Sequence, residues 1–328
     1  MRQHARATAA REALQAKRGT ARASHACMLP ARAQRCKLLE CYDDAMNYRH
    51  AFHAGNFADV FKHAILLGLI DALKTKSSPF CYIDTHAGAG RYDLRDEEAR
   101  KTGEFVDGVQ RLLVASRLPD SLRPYFDLLR TANAADTDGH LNVYPGSPLI
   151  ASLALRENDR LTLCEVQQAE TNSLKKLFAG DKRVGVHQRD GYAALPGLVP
   201  PKERRGLILI DPPFEAQEAE FRTIESALAN AYARWPTGIY AVWYPIKLRR
   251  QILPFHRWFA ANGIKKTLAA DLMIDADDSP LRLNGCGMVI VNAPWQFDRW
   301  LAQLLPDLIG LLGRNPRASQ HVEQLSGE

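Results

Sequence analysis

Short apolar runs alternate with amphipathic segments along most of the chain, and this alternation predicts an α/β fold. Phe57, Val60, Ala64 and Leu67 recur every three or four positions, which is the spacing of one buried helix face. Runs of adjacent apolar residues instead suit strands that are covered on both faces, as in a parallel sheet. Seven such strands are predicted, at residues 80–83, 161–165, 184–187, 207–210, 239–243, 266–274 and 288–292. Helical patterns lie between most of them, so the sequence favours a doubly wound sheet.

Four local features are also predicted. Residues 93 to about 140 are expected to form an inserted small helical subdomain that contains two amphipathic helices and no strand. The last two predicted strands have no helix between them, so they are expected to pair as an antiparallel hairpin. Ser147 followed by Pro148 predicts a helix that begins with Ser147 as its N-cap. The polar tail after Asn315 is expected to be frayed.

The amino terminus carries most of the net charge. The formal net charge is +6, but residues 1–45 contain nine Lys or Arg against four Asp or Glu, which leaves a surplus of one for the rest of the chain. Global charge is therefore weak evidence for a polyanionic partner. Residues 1–45 have little with which to build a core. A disordered arm, a targeting peptide and upstream-translated sequence are the alternatives, and Met46, just before the first patterned segment, favours the last.

Composition narrows the environment and the chemistry. The six cysteines show neither a CxxC pair nor zinc spacing, and no apolar run is long enough to span a membrane. A cytoplasmic protein with reduced thiols is therefore expected. No metal site is expected, because no Cys or carboxylate completes a ligand set with His50, His53, His63 and His86 at metal-like spacing. His63 and His86 are interpreted instead as hydrogen-bond donors that line a cofactor cavity.

The run Leu207–Ile210 leads directly into Asp211-Pro212-Pro213-Phe214. Prolines cannot donate to a strand ladder, so the strand must end there, and ligands of open α/β sheets lie beyond the carboxyl ends of strands. A carboxylate and a proline carbonyl could accept both hydrogens of an exocyclic base amine while Phe214 stacks on the base. A strand that ends in a tight turn, with Asp211 as a helix N-cap, explains these residues equally well.

Acids also follow three other predicted strands. Asp84 leads into Gly88-x-Gly90, whose glycines allow the backbone to approach a ligand closely. Glu165 could accept both hydroxyls of a ribose, and Asp190, which precedes Gly191, could accept from an adenine amine. Taken singly, each acid is more often a cap or turn residue. Taken in order with Asp211, they predict an S-adenosylmethionine site, and the absence of a fuller GxGxxG or a GxxxxGK[ST] motif disfavours a dehydrogenase or a nucleoside triphosphatase.

Longer motifs add family-specific information. They are Tyr48–His50, His53–Asn56, Asp59–His63, Asp84–Tyr92, Tyr144–Leu149, Arg205–Pro213 and Gly238–Pro245. These motifs closely resemble the RlmJ family of bacterial 23S ribosomal RNA adenine-N6 methyltransferases. The resemblance extends roughly from Met46 to the final helix, and residues 1–45 have no counterpart in it. It implies a class I S-adenosylmethionine-dependent methyltransferase fold with a helical subdomain inserted after the first strand.

The resemblance also implies roles for individual residues. Cofactor contacts are implied for His63, His86, Ser147, Glu165, Asp190, Gly191 and Asp211. Asp211 takes the catalytic role, and Tyr48, His50 and Lys62 take positions on the substrate side. Phe214 is also expected to bind the substrate, although it stands where Tyr is commoner in the family, which keeps the stacking surface and loses a hydroxyl.

The expected function is S-adenosylmethionine-dependent methylation of the N6 of a single adenine in 23S rRNA. The target base would be flipped out or single-stranded, because duplex RNA hides its bases. The expected partner is 23S rRNA, either protein-free or in an early assembly intermediate, with no membrane partner and with the enzyme as a monomer. Two alternatives stay open: a DNA adenine-N6 methyltransferase, and a non-catalytic nucleic-acid-binding module.

Overall fold

The computed structural model describes residues 48–134, 141–280 and 283–327. The expectations for residues 1–45 lie outside the described residues. The inserted helical subdomain, with boundaries at about residues 93 and 140, stays a prediction.

Ten strands are present in the described part of the chain. They are β1 (Cys81–Asp84), β2 (Arg91–Asp93), β3 (Val143–Pro145), β4 (Arg160–Glu165), β5 (Val184–Gln188), β6 (Gly206–Ile210), β7 (Ile239–Ile246), β8 (Thr267–Met273), β9 (Gly285–Val291) and β10 (Ser319–Ser326). The helices are α1 (Phe57–Lys74), α2 (Glu97–Thr102), α3 (Val109–Leu113), α4 (Arg123–Ala132), α5 (Ser147–Ala154), α6 (Gln168–Leu177), α7 (Gly191–Leu198), α8 (Gln217–Arg234), α9 (Arg249–Ala261) and α10 (Phe297–Leu312).

Eight of the strands form one sheet in the order β10-β8-β9-β7-β6-β1-β4-β5. Strands β5, β4, β1, β6 and β7 are parallel to one another, whereas β9 is antiparallel to both β7 and β8. All seven predicted strands belong to this sheet, and the predicted β8–β9 hairpin is confirmed. Short strands β2 and β3 pair separately as an antiparallel ladder.

Helices cover both faces of the sheet, and strand β6 shows why its sequence is apolar at every position. Leu207 and Leu209 pack in one hydrophobic cluster with residues of α1 and α10, while Ile208 and Ile210 pack in the other with residues of α8 and α9. Side chains alternate between the two faces of a strand, and here both faces are buried. The doubly wound prediction is therefore confirmed.

Several local predictions were wrong. The polar tail is not frayed, because Ser319–Ser326 forms β10 and pairs antiparallel with β8. Between β2 and β3, the described residues form three α-helices, α2, α3 and α4, rather than two. The N-cap of α5 is Gly146, with Ser147 as the first helical residue. None of the helices in the described ranges is long and apolar enough to cross a membrane.

Candidate active site

The four predicted acids lie along one edge of the sheet. Asp84, Glu165 and Asp211 end or directly follow strands β1, β4 and β6, and Asp190 lies two residues beyond β5. These strands are parallel neighbours, so their carboxyl ends meet at the same edge. The order predicted along the chain thus becomes an order in space, with Asp84 between Glu165 and Asp211.

Asp84 is completely buried and organises the turn after β1. Its Oδ2 accepts hydrogen bonds from the hydroxyls of Tyr82 at 2.6 Å and Ser147 at 2.8 Å, and its Oδ1 accepts from the His86 amide at 3.2 Å. Burial raises the pKa of Asp84 to about 6, although these donors act in the opposite direction. Ser147 does not cap its helix because its hydroxyl is committed to Asp84.

Glu165 supports the glycine loop from the neighbouring strand. Its Oε2 accepts from the Gly88 amide at 2.8 Å, and its Oε1 accepts from the Gln167 amide at 2.8 Å. Burial raises the pKa of this carboxyl, while the backbone donors partly counter the effect. Gly88 and Gly90 have φ angles of 59° and 75°, a region that only glycine enters readily, so the loop needs both residues. Each oxygen of Glu165 keeps capacity for a second donor such as a ribose hydroxyl.

Asp190 and Gly191 begin α7 close to the turn after β1. Asp190 is the N-cap and accepts from the Ala193 amide at 2.8 Å. A Cβ on Gly191 would lie 2.0 Å from the carbonyl oxygen of Thr85, so only glycine lets the two segments approach this closely. The His86 ring meets the Tyr192 ring edge-on at 4.8 Å, and burial lowers the pKa of His86 to about 4. A neutral His86 does not repel a cationic cofactor.

His63 is buried within α1 and offers one unused polar atom. Its Nδ1 is 2.7 Å from the Tyr144 hydroxyl, whereas its Nε2 has no hydrogen-bond partner in the described part of the chain. Burial, followed by the charge of Lys62, lowers the pKa of His63 well below its usual range. The ring is therefore neutral and can carry a proton on Nε2, and its role as a donor to a cofactor stays a prediction.

Lys62 connects α1 to the catalytic candidate. Its Nζ lies 2.5 Å from Oδ2 of Asp211 and 2.9 Å from Oδ1 of Asp59, and it is 5.9 Å from the centre of the Trp243 ring. Burial would lower the pKa of Lys62, but Asp211 and Asp59 outweigh it and hold the pKa well above its usual range. Lys62 was expected on the substrate side, and it is a buried cation between two carboxylates.

Aromatic contacts hold the tip after β6, which is the segment 211–214. Phe214 is half-buried and meets Phe221 and Trp243 edge to face at centroid distances of 5.6 and 5.7 Å. The carbonyl of Pro213 accepts from the Glu215 amide at 2.9 Å. No backbone amide of residues 48–134, 141–280 or 283–327 donates to the carbonyl of Pro212.

Tyr48 and His50 approach the same tip from the start of the described chain. The Tyr48 hydroxyl is 2.9 Å from Nδ1 of His50, whose Nε2 is 3.0 Å from Oδ2 of Asp59. The Tyr48 amide donates to the Glu215 carboxylate at 3.2 Å. Both residues expected on the substrate side therefore lie in one hydrogen-bonded chain with Asp59.

Sequence reasoning missed Asp59 and Trp243. Asp59, Lys62 and His63 are buried polar residues in a helix where nearly every other side chain through Ile70 is apolar and buried. Buried polar or charged groups are costly unless they are paired, so three polar residues in one apolar segment were a usable signal. Trp243 gave no comparable signal, since it looked like any aromatic residue of a buried strand.

The sequence of this chain matches a known protein family. The model of the family described as "Ribosomal RNA large subunit methyltransferase D, RlmJ" matches residues 77–324. Ribosomal RNA large subunit methyltransferase J of Escherichia coli (strain K12) is 42% identical over 261 residues, which cover 80% of this chain and 92% of that protein. The protein of the same name in Haemophilus influenzae is 38% identical over 283 residues, which cover 86% of this chain and 100% of that protein.

A solved structure supports the same relationship. The crystal structure of a Legionella pneumophila protein superposes with a TM-score of 0.74 at 35% identity and covers 83% of this chain and 98% of that one. The sheet order, with parallel strands on both sides of β1 and an antiparallel β9, is that of a class I methyltransferase. The chain therefore belongs to the RlmJ family of ribosomal RNA large subunit methyltransferases.

Proposed function

We propose that this protein transfers a methyl group from S-adenosylmethionine to the exocyclic N6 of a single adenine in 23S rRNA. One observation carries the proposal: Asp211 and Pro212 are consecutive residues directly after β6, at the edge of the sheet where the other three acids lie. Lys62 takes Oδ2 of Asp211, and no backbone amide of the described residues donates to its Oδ1 or to the carbonyl of Pro212. An exocyclic amine has two hydrogens, and these two acceptors match them.

The residues present fit S-adenosylmethionine, which would supply an electrophilic methyl group. Glu165 has oxygen capacity for ribose hydroxyls, and Asp190 for an adenine amine. The turn organised by Asp84 brings backbone and the Ser147 hydroxyl to the same edge. His63 adds the unused Nε2, and Gly191 keeps α7 close to the turn.

The chain's own residues would make N6 a better nucleophile. The N6 lone pair is delocalised into the ring of a free adenine, so the amine attacks poorly. Hydrogen bonds to Oδ1 of Asp211 and to the Pro212 carbonyl favour a pyramidal nitrogen whose lone pair points away from the ring. Phe214, held by Trp243 and Phe221, would stack on the base and fix its plane. The extra proton can leave N6 after transfer, so a strong general base is unnecessary.

The RNA is proposed to lie across the carboxyl edge beyond Asp211. Helix α9 begins at that edge after β7, where a cleft of about 470 Å³ is lined by three arginines and three aspartates: Arg249, Arg250, Arg317, Asp275, Asp277 and Asp278. Arg317 pairs with Asp278 at 3.1 Å, whereas no ion pair among the described residues includes the exposed Arg250, which supports Arg250 as a phosphate contact. Unpaired RNA is the substrate form, either protein-free 23S rRNA or an early assembly intermediate, and the enzyme acts as a monomer in the cytoplasm.

A methyl-transfer assay tests the proposal. Tritiated S-adenosylmethionine is incubated with protein-free 23S RNA and with genomic DNA, both from a strain that lacks this protein, and the products are digested to nucleosides. Labelled N6-methyladenosine from RNA alone is the expected result. Label in DNA alone would make the protein a DNA adenine methyltransferase, and cofactor binding without label would favour a binding module.

Asp211→Ala tests the catalytic assignment in the same assay. Loss of the acceptor and of the partner of Lys62 should lower turnover by about 100-fold or more. Asp71→Ala is the matched control, because Asp71 is an exposed acid on α1 that pairs only with Lys74 among the described residues. Turnover of Asp211→Ala close to that of Asp71→Ala would contradict the mechanism.

A further inference from the structure

Asp59 lies at the centre of a hydrogen-bonded network that runs from Tyr48 to Asp211. It is 2% exposed and lies in the first turn of α1. Its Oδ2 accepts from the Gly55 amide at 2.9 Å and lies 3.0 Å from Nε2 of His50, while its Oδ1 accepts from Nζ of Lys62 at 2.9 Å. Tyr48 lies at one end of this chain of contacts, and Asp211 lies at the other.

The electrostatics of the network keep Asp59 and Lys62 charged. Burial alone would raise the pKa of Asp59, but the charges of His50 and Lys62 hold it well below its usual range. Lys62 keeps its proton because the carboxylates of Asp211 and Asp59 stabilise the charged ammonium against the effect of burial. Hydrogen bonds between such ionised groups are shorter and about twice as strong as neutral ones, so the ammonium is held firmly.

The Lys62 ammonium by itself would be a poor anchor. A lysine side chain has four flexible methylenes and presents a point charge with no preferred plane. The terminal torsion of an aspartate is likewise broad, so one attractive contact does not fix which oxygen faces the substrate. A second carboxylate on the far side of the ammonium fixes its position, and this fixes Oδ2 of Asp211.

We propose that Asp59 is a positioning residue for methyl transfer: it holds Lys62 against Oδ2 of Asp211, so that Oδ1 faces the amine of the substrate. The proposal rests on the proposed function. It also assigns Lys62 to Asp211 rather than to direct contact with RNA.

Asp59→Asn is the first test, because it keeps the size of the side chain and removes its charge. Turnover at saturating RNA should fall roughly 10- to 100-fold, the range expected when a reacting group is misplaced by about 1 Å. The Kd for S-adenosylmethionine, measured by calorimetry, should change less than about twofold, because the Asp59 carboxylate bonds to His50, Lys62 and the Gly55 amide and makes no hydrogen bond to a cofactor candidate. Asp71→Asn on the same helix is the matched control.

A double-mutant cycle separates positioning from a purely structural effect. If Asp59 acts through Lys62, then adding Asp59→Asn to Lys62→Met should lower turnover by less than about twofold further. A merely structural residue would instead multiply its loss with that of Lys62→Met. Asp59→Glu provides a variant that keeps the charge in case Asp59→Asn does not fold; its shifted carboxylate should lower turnover while the KM for RNA stays near the wild-type value.

Each outcome decides the proposal. Wild-type turnover in Asp59→Asn or Asp59→Glu, or multiplicative losses in the double variant, would overturn the positioning role while leaving the proposed function in place. Methyl transfer by the wild type to DNA instead of RNA would change the substrate and allow the same cycle on DNA. No methyl transfer by the wild type to either nucleic acid would overturn both proposals.

Discussion

The difference in unfolding free energy between the Asp84→Asn variant and the wild type should shift in favour of the variant as the pH rises. The folded protein raises the pKa of this fully buried carboxyl from its ordinary value of 3.8 to about 6. Between these two values the folded state binds a proton more readily than the unfolded state does. The free energy of unfolding contributed by Asp84 therefore falls as the pH rises through this window and is constant above it.

The difference between the two pKa values corresponds to about 3 kcal/mol of stability, and most of that is lost between pH 4 and pH 7. The asparagine side chain in Asp84→Asn cannot ionise, so the variant escapes this loss. The hydrogen bonds from Tyr82 and Ser147 favour the ionised carboxylate, and their effect is already included in the folded-state pKa of about 6. The pH-dependent part of the difference thus measures the net cost of ionising Asp84 in its buried, hydrogen-bonded position.

Urea denaturation of both proteins without cofactor, at half-unit steps across this pH window and just beyond it, measures this difference. The unfolding free energy of the variant minus that of the wild type should increase with pH and level off above the folded-state pKa. Asp71→Asn provides the control, because that exposed acid should give a nearly flat difference. A flat or falling difference for Asp84→Asn would refute the reasoning about burial.

Two further substitutions test the cofactor and RNA surfaces. Gly191→Ala should destabilise the protein by about 1–3 kcal/mol and weaken cofactor binding, because its Cβ would lie 2.0 Å from the Thr85 carbonyl oxygen. Gly197→Ala in the same helix is the control, since nothing lies within 4 Å of its added Cβ. Thermal melts compare the stabilities of the two variants, and calorimetry compares their Kd values for S-adenosylmethionine. Equal stabilities and equal Kd values would contradict the close approach of Gly191 to Thr85. Arg250→Ala should raise the KM for RNA several-fold at low salt and reduce its salt dependence, whereas Arg257→Ala, also exposed on α9 but outside the cleft, should not. Indistinguishable KM values for the two arginine variants would place the RNA elsewhere.

The alternation of apolar runs and helical periods was enough to predict the doubly wound sheet. Burial on both faces demands an apolar residue at each position of a central strand, as in Leu207–Ile210, so the signal is local and strong. The β8–β9 hairpin followed from the missing helix. The order of the acids also placed them on one edge, because parallel strands in one sheet end together.

Only the tertiary structure decided the features that depend on distant partners. Strand β10 is polar because it is an edge strand, and only the open edge of β8 makes Ser319–Ser326 a strand at all. Ser147 is locally a good N-cap, but the buried carboxylate of Asp84, 63 residues earlier, takes its hydroxyl. Local patterns report how deeply a segment is buried, whereas the direction of a polar side chain is set by whichever buried partner the fold brings near.

The network around Asp59 illustrates the same limit. The sequence identified Lys62 and Asp211 separately, by resemblance and by strand position, but nothing local indicates that the two side chains meet across 149 residues. Their contact exists because α1 packs on the face of the sheet beside the end of β6. The chain sequence by itself determined the fold and the kinds of chemical group at its carboxyl edge, and the packing of α1 on the sheet determined how those groups pair, because the energy of a buried charge depends on neighbours that only the folded chain assembles.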